Sequence, residues 1–117
     1  ALGTSSVFGA DILIDGDLVS DNTFVASAND GYYLTESGMG WDAINNPFTG
    51  EWNGLYTVVQ RTNVVINENK LEQTTFVKSL KGEAKIIRGL AYFYLVQFFS
   101  PSIASGQYQE YCVSLFL

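Results

Sequence analysis

The stretch LKGEAKIIRGLAYFYLVQFF, residues Leu80–Phe99, constrains the fold more than any other part of the chain. Its apolar residues recur in alternating steps of four and three, which is the spacing of one face of an α-helix. These positions are Leu80, Ala84, Ile87, Ala91, Tyr94 and Phe98. Pro101 predicts that the helix ends near Ser100. The C-terminal half is apolar nearly all round, so we expect it to be buried on more than one side.

A second helix over Glu51–Glu68 is predicted by the same kind of spacing. Its apolar face comprises Leu55, Val58, Val59, Thr62, Val65 and Ile66. We expect the two helices to form an antiparallel hairpin across Asn67–Ser79, and the Trp-Leu-Tyr opening of the first resembles a tetratricopeptide repeat. The spacing is looser than the consensus repeat of about 34 residues. The predicted fold class is therefore mainly α, with a tetratricopeptide-like helical hairpin and a long irregular loop.

The first part of the chain is less regular. Thr4–Asp15 favours a short helix ended by Gly16, and the alternative is a strand over Ala10–Leu18, because the apolar spacing is only partly helical. The acidic residues Asp15, Asp17 and Asp21 lack the ligand spacing of a calcium-binding EF-hand loop. We expect them to be solvated turn and cap residues.

Turn-forming residues recur at short intervals from Thr23 to Gly50, which predicts a long loop. Such loops inside small domains are usually functional or mobile. This one also carries aromatic and amide side chains, which suit sugar binding, since flat rings stack on a pyranose and amides bond its hydroxyls. Trp41 and Asn45 are the candidate ligand-binding residues. The alternative is that Trp41 simply pins the loop to the helices.

Composition excludes several functional classes. The net charge is −6, and the basic residues are confined to Arg61–Arg88, so a nucleic-acid partner is not expected. Histidine is absent, which removes Ser-His-Asp and Cys-His catalysis. Cys112 is the only cysteine, so neither an intrachain disulfide nor a zinc cluster can form within the chain. No cofactor, metal site or catalytic residue is predicted.

Glu83 and Arg88 are the charged pair that most resembles catalytic groups. They lie five residues apart on one helix and should point in different directions, so a designed acid/base pair is not expected. We expect Glu83 to be a carboxylate at the helix terminus and Arg88 to be a packing arginine.

Both helices together resemble the N-terminal signature of the SusD/RagB family of outer-membrane nutrient-binding lipoproteins. In that family a helix with a tryptophan, a tyrosine and a later asparagine precedes a second helix that begins Gly-Glu-Ala and continues into an arginine and an aromatic run. The matching positions here are Trp52, Tyr56, Asn63, Gly82, Glu83, Ala84, Arg88, Ala91, Tyr92 and Phe93. Family members often close the next loop with Gly-Val-Pro-Leu, where this chain has Cys112-Val113-Ser114-Leu115, and we expect the apolar tail to lack a partner.

The resemblance implies that residues 1–117 are the N-terminal SusD-like helical region of a longer protein. It implies a non-enzymatic, lipid-anchored receptor at the cell surface that captures oligosaccharides for a SusC-like TonB-dependent channel, as in polysaccharide utilisation. Glycan-binding members carry a tryptophan and a nearby asparagine ahead of the helix that begins here at Trp52, which agrees with Trp41 and Asn45. A peptide ligand within the same family, or a tetratricopeptide-type interaction scaffold, is the alternative.

Overall fold

A computed structural model describes residues 3–20, 22–26, 28–101, 104 and 113–115. Within these ranges the regular structure is helical and contains no strand, which confirms the mainly α prediction. The elements are a π-helical segment Ser5–Gly9, α1 Asp11–Leu18, α2 Leu34–Ser37, α3 Thr49–Asn67 and α4 Thr75–Phe99. The chain divides into two compact units, Ala1–Gly54 and Leu55–Leu117.

The predicted helix over Thr4–Asp15 is wrong in its boundaries. The backbone leaves helical geometry at Val7 (φ −125°, ψ −110°) and again at Ala10 (φ −157°, ψ −56°). The π-helical segment closes with the Gly9 amide donating to the Thr4 carbonyl at 2.9 Å. Helix α1 then begins at Asp11 and runs past Gly16 to Leu18, so that glycine does not end it, and the alternative strand is absent.

A glycine allows the π-helical segment to approach the first turns of α3. A Cβ placed on Gly54 would lie 2.6 Å from Val7 Cγ2, a distance that no side chain could occupy without displacement. Val7 is accordingly 1% exposed. Between α1 and α3 the long loop predicted from Thr23 to Gly50 contains the single helical turn α2 and otherwise turns and irregular backbone, in the part of it that is described.

Within the second unit, α3 and α4 form the predicted antiparallel hairpin. Arg88 Nη1 donates to Asn63 Oδ1 at 2.7 Å, and Lys81 Nζ donates to Asn69 Oδ1 at 3.5 Å. The later residue of α4 therefore pairs with the earlier of the two asparagines, which is the order of an antiparallel pair. Helix α4 begins at Thr75, five residues before the predicted start at Leu80. The reason is an N-cap, because Thr74 Oγ1 accepts a hydrogen bond from the Val77 amide at 3.3 Å.

The core of the second unit follows the centres of the predicted helix faces, except that Leu95 is buried outside the predicted face of α4. The buried residues of the two helices in this unit are Leu55, Val58, Val59, Thr62, Ala84, Ala91 and Leu95. The prediction that the C-terminal half of α4 is buried on more than one side is wrong for Leu90, Phe93 and Val96, which are 42%, 56% and 50% exposed. Leu80, the first residue of the predicted face, is also exposed.

Two residues of the C-terminal tail have partners, contrary to expectation. The Tyr56 hydroxyl donates to the Ser114 carbonyl at 3.1 Å. Val113 beside it is buried. Cys112 lies outside the described residues. Across the helices that the structure describes, none combines the length and apolar character needed to cross a membrane.

Replacing Leu95 by alanine tests the core of the hairpin. Leu95 is fully buried, so the substitution should lower the free energy of unfolding by about 2–5 kcal/mol. Leu90→Ala is the matched control on the same helix, and its exposed position predicts a loss below about 1 kcal/mol. Urea denaturation followed by circular dichroism measures both. Equal losses would contradict the assigned packing face.

Candidate functional site

The candidate loop places Trp41 against Phe48. Their ring centroids lie 5.2 Å apart at an interplanar angle of 83°, an edge-to-face contact. Phe48 directly precedes α3, so this contact ties the indole to the start of that helix. Trp41 is half-buried. In an edge-to-face pair, one face of the indole at most is engaged by Phe48.

Asp42 organises the turn between these two rings. Its Oδ1 accepts hydrogen bonds from the Ile44 amide at 2.8 Å and from the Asn45 amide at 2.7 Å. This is the local side-chain-to-backbone pattern that aspartate favours in turns. The Asn45 and Ile44 amides lower the pKa of Asp42, because they stabilise its ionised form.

The two predicted ligand-binding residues therefore flank one turn. Trp41 directly precedes it, and exposed Asn45 closes it, with the Asp42 amide donating to the Asn45 carbonyl at 3.4 Å. The Asn45 side chain makes a smaller contribution to the lowered pKa of Asp42. An indole and an exposed amide at one turn can bind a ligand that has both an apolar face and hydroxyl groups.

Backbone strain occurs on both sides of α2. Tyr33 and Met39 have positive φ angles of 59° and 48°, which residues other than glycine rarely adopt. Tyr33 is held there by its hydroxyl, which donates to Asp11 Oδ1 at 3.2 Å. Met39 lies just ahead of Trp41 in the candidate loop, and strained residues of this kind cluster at ligand-binding segments.

Asp15 is not the solvated carboxylate that we expected. It is 3% exposed, as is Glu51 in the first turn of α3, and one oxygen of each carboxyl group has no hydrogen-bond partner in the described structure. Burial, followed by the charge of Glu51, raises the pKa of Asp15 to about 7, and burial also raises the pKa of Glu51. Asp17 is exposed as predicted, and Asp21 lies outside the described residues.

The motif residues Asn63 and Arg88 join the two long helices, as their 2.7 Å hydrogen bond shows. Arg88 is therefore a structural residue, in agreement with the expected packing role. The explanation of Glu83 as a carboxylate at the helix terminus is wrong, because α4 begins at Thr75 and Glu83 lies well inside it, exposed. No cluster of His, Cys, Asp or Glu among the residues described here has the geometry to hold a metal ion.

Among the residues that the structure describes, the regular structure is helical, and one loop turn carries half-buried Trp41 and exposed Asn45. A family model described as "Starch-binding associating with outer membrane" matches residues 11–111, and the chain belongs to this SusD-like family. A SusD-like protein of Bacteroides ovatus is 31% identical over 67 residues. That match covers 52% of this chain and 12% of the relative's length. No solved structure matches the chain.

Sequence reasoning missed three features of the site that carried a signal. Asp42 and Asn45 lie three residues apart and belong to residue types that favour turns. This pattern would have predicted an ordered turn within the loop. The contact between Trp41 and Phe48 was also missed, although both are aromatic residues of the predicted loop. The burial of Asp15 could have been found from its spacing, because it lies three residues from both Ile12 and Leu18 on one helical face.

The hydrogen bonds of the loop predict the titration of Asp42. Its carboxyl group should titrate below the ordinary value of 3.8, because two backbone amides donate to the ionised form. The turn should therefore persist at ordinary pH and be lost only as the pH falls through that lowered pKa. Carboxyl-detected NMR titration measures the midpoint. In Asn45→Ala most of the depression should remain, because the backbone donors remain; a midpoint at or above 3.8 in the unaltered chain would contradict the turn geometry.

A double-mutant cycle tests the contact between the motif residues. Asn63→Ala and Arg88→Met each remove the charged hydrogen bond and should cost about 1–2 kcal/mol of unfolding free energy. The double variant should cost less than the sum of the two. Lys85→Met, an exposed basic residue one turn away, is the control and should change stability little. Strictly additive losses would show that the two residues do not act as a pair.

Proposed function

We propose that this chain captures starch-like oligosaccharides at the outer membrane and does not hydrolyse them. The observation that carries the proposal is the family match over residues 11–111, whose description names both starch binding and outer-membrane association. The chemistry of the exposed loop agrees with it. A member of a binding family with an aromatic and amide loop has the groups that a sugar ligand requires.

Trp41 and Asn45 are the proposed ligand contacts. An indole engaged by Phe48 on one face at most can offer the other to the apolar face of a pyranose. Asn45 is exposed, and its side-chain amide has donor and acceptor capacity for sugar hydroxyls. Asp42 would act on the ligand indirectly, because it shapes the turn that places these two side chains.

The partner and the location follow from the family resemblance. The proposed partner is a SusC-like TonB-dependent channel that takes up the captured oligosaccharide, and the proposed location is the cell surface, through a lipid anchor on the longer protein. The proposed role is non-enzymatic, because the family description names binding and not hydrolysis.

A second candidate function, recognition of a peptide, is favoured by one observation on the hairpin. Where α3 and α4 meet their connecting loop, a hollow of about 220 Å³ is lined mainly by aliphatic side chains. Its lining residues are Val64, Val65, Glu68, Leu71, Val77, Leu80 and Lys81. A peptide with an aliphatic side chain would fit such a hollow, either as a nutrient or as a partner of a tetratricopeptide-type scaffold.

Titration of the chain with malto-oligosaccharides tests the proposed function. Binding followed by calorimetry should weaken about tenfold or more in Trp41→Ala, because about 1.4 kcal/mol of lost stacking is a factor of ten. Asn45→Ala should lose about 0.5–1.5 kcal/mol, the value of a hydrogen bond. Asn22→Ala, which removes another exposed amide of the first unit, is the control and should bind normally.

The outcomes separate the two candidates. Sugar binding that survives Trp41→Ala unchanged would contradict the proposed site. Binding of aliphatic peptides that is lost in Leu80→Ser and unaffected in Trp41→Ala would favour the hollow on the hairpin instead. Release of shorter sugars during the titration would contradict the non-enzymatic role.

A further inference from the structure

Two carboxyl groups are buried in the first unit without a visible counter-charge. Asp15 lies on α1 and Glu51 in the first turn of α3, and each is 3% exposed. Asp15 Oδ1 and Glu51 Oε2 are buried and have no hydrogen-bond partner among the residues that are described. Removing an ionised carboxylate from water is costly unless a partner neutralises it, so two such groups together require a neutralising ion.

No basic side chain of this unit can supply the neutralising charge. Residues 1–54 contain eight aspartate and glutamate side chains and no lysine, arginine or histidine. The first basic residue of the chain is Arg61. A proton is the remaining neutralising species that the unit can acquire from water alone, and repulsion between two carboxylates favours the protonated form of one of them.

We propose that the Asp15 and Glu51 carboxyl groups together retain one proton at neutral pH, and that losing it in mildly alkaline solution destabilises the unit formed by residues 1–54. This makes the pair a pH-sensitive switch built into the fold. It does not depend on the proposed glycan function, because it concerns the folding of the unit and not its ligand.

The proton resides mainly on Asp15. Glu51 lies in the first turn of α3, where the helix dipole favours a negative charge. Asp15 lies in the last turn of α1, where the dipole disfavours one. The direction of the pKa shift on each group agrees with retention of a proton by the pair, since burial raises the pKa of both.

The other titratable groups that face the pair act in the same direction. Glu36 of α2 and Asp11 of α1 both add negative charge near Asp15, which favours the protonated form. Tyr33 is neutral at ordinary pH, and its hydroxyl bonds Asp11. Each facing group is therefore either negative or neutral, and none offsets the repulsion within the pair.

The sign of the pH dependence follows from these shifts. Asp15 binds its proton more tightly in the folded chain, with a pKa of about 7, than in the unfolded chain, where the ordinary value is 3.8. Its stabilising contribution is therefore fully present below about pH 4 and is lost as the pH rises through about 7. Between about pH 5 and about pH 8, the folding equilibrium constant should fall about a hundredfold through this group alone.

Thermal and urea unfolding of the full chain across that pH range tests the proposal. The unaltered chain should lose stability as the pH rises, whereas Asp15→Asn, neutral and similar in shape, should lose much less and be the more stable of the two above about pH 7. Glu51→Gln should also flatten the profile. Asp17→Asn is the matched control, since it removes an exposed carboxylate of the same helix, and it should follow the unaltered chain.

Two results would overturn the proposal. One is an Asp15→Asn profile that parallels the unaltered chain; the other is recovery of stability at alkaline pH on adding sodium or calcium chloride beyond that seen in Asp15→Asn, which would assign the pair to a bound cation. Should Asp15→Asn fail to fold, infrared spectroscopy of the unaltered chain decides the matter. A protonated carboxyl band that persists at neutral pH and disappears near pH 8 is expected, and its absence at neutral pH would refute the switch.

Discussion

The contact between the apolar faces of α3 and α4 is the constraint on which the second unit depends. Leu55 and Leu95 are fully buried, and so are Val59 and Ala91. Arg88 and Asn63 add a polar link beside these residues, so the register of the two helices is fixed by both shape and hydrogen bonding. In the part of the chain that the structure describes, α4 also presents apolar side chains such as Phe93 to solvent.

The first unit is organised by different physics. Its eight carboxylates have no basic counterpart within the unit, and two of them are buried. Helix α1, the single turn α2 and the start of α3 bring these acids together, while the loop between α2 and α3 carries the aromatic and amide side chains. Electrostatic repulsion is thus concentrated in the unit that also contains the candidate ligand-binding turn.

The helices with regular apolar spacing were predictable from sequence, whereas the features that depend on caps and on contacts between elements were not. Apolar spacing placed Leu55, Val59 and Ala91 on the correct faces, since a helix buries its stripe whatever its partner is. Leu95 is fully buried although it lies outside the predicted face of α4. The start of α4 was missed because the cap at Thr74 stabilises a first turn that has little apolar periodicity. The burial of Asp15 was missed because an acidic residue among turn-forming residues was expected to be solvated. Its spacing from Ile12 and Leu18 nevertheless places it on the buried face of α1. The roles of Trp41 and Asn45 as ligand contacts stay predictions.

Hydrogen exchange of backbone amides, with and without malto-oligosaccharide, tests the central claim that this chain binds glycan through its exposed loop. Glycan binding at the loop should slow exchange only in the turn around Asp42–Asn45 and at the flanking Trp41 and Phe48. Exchange along α4 should be unchanged. Protection along α4 or its connecting loop, with none at the turn, would contradict the account and place the ligand on the helical hairpin.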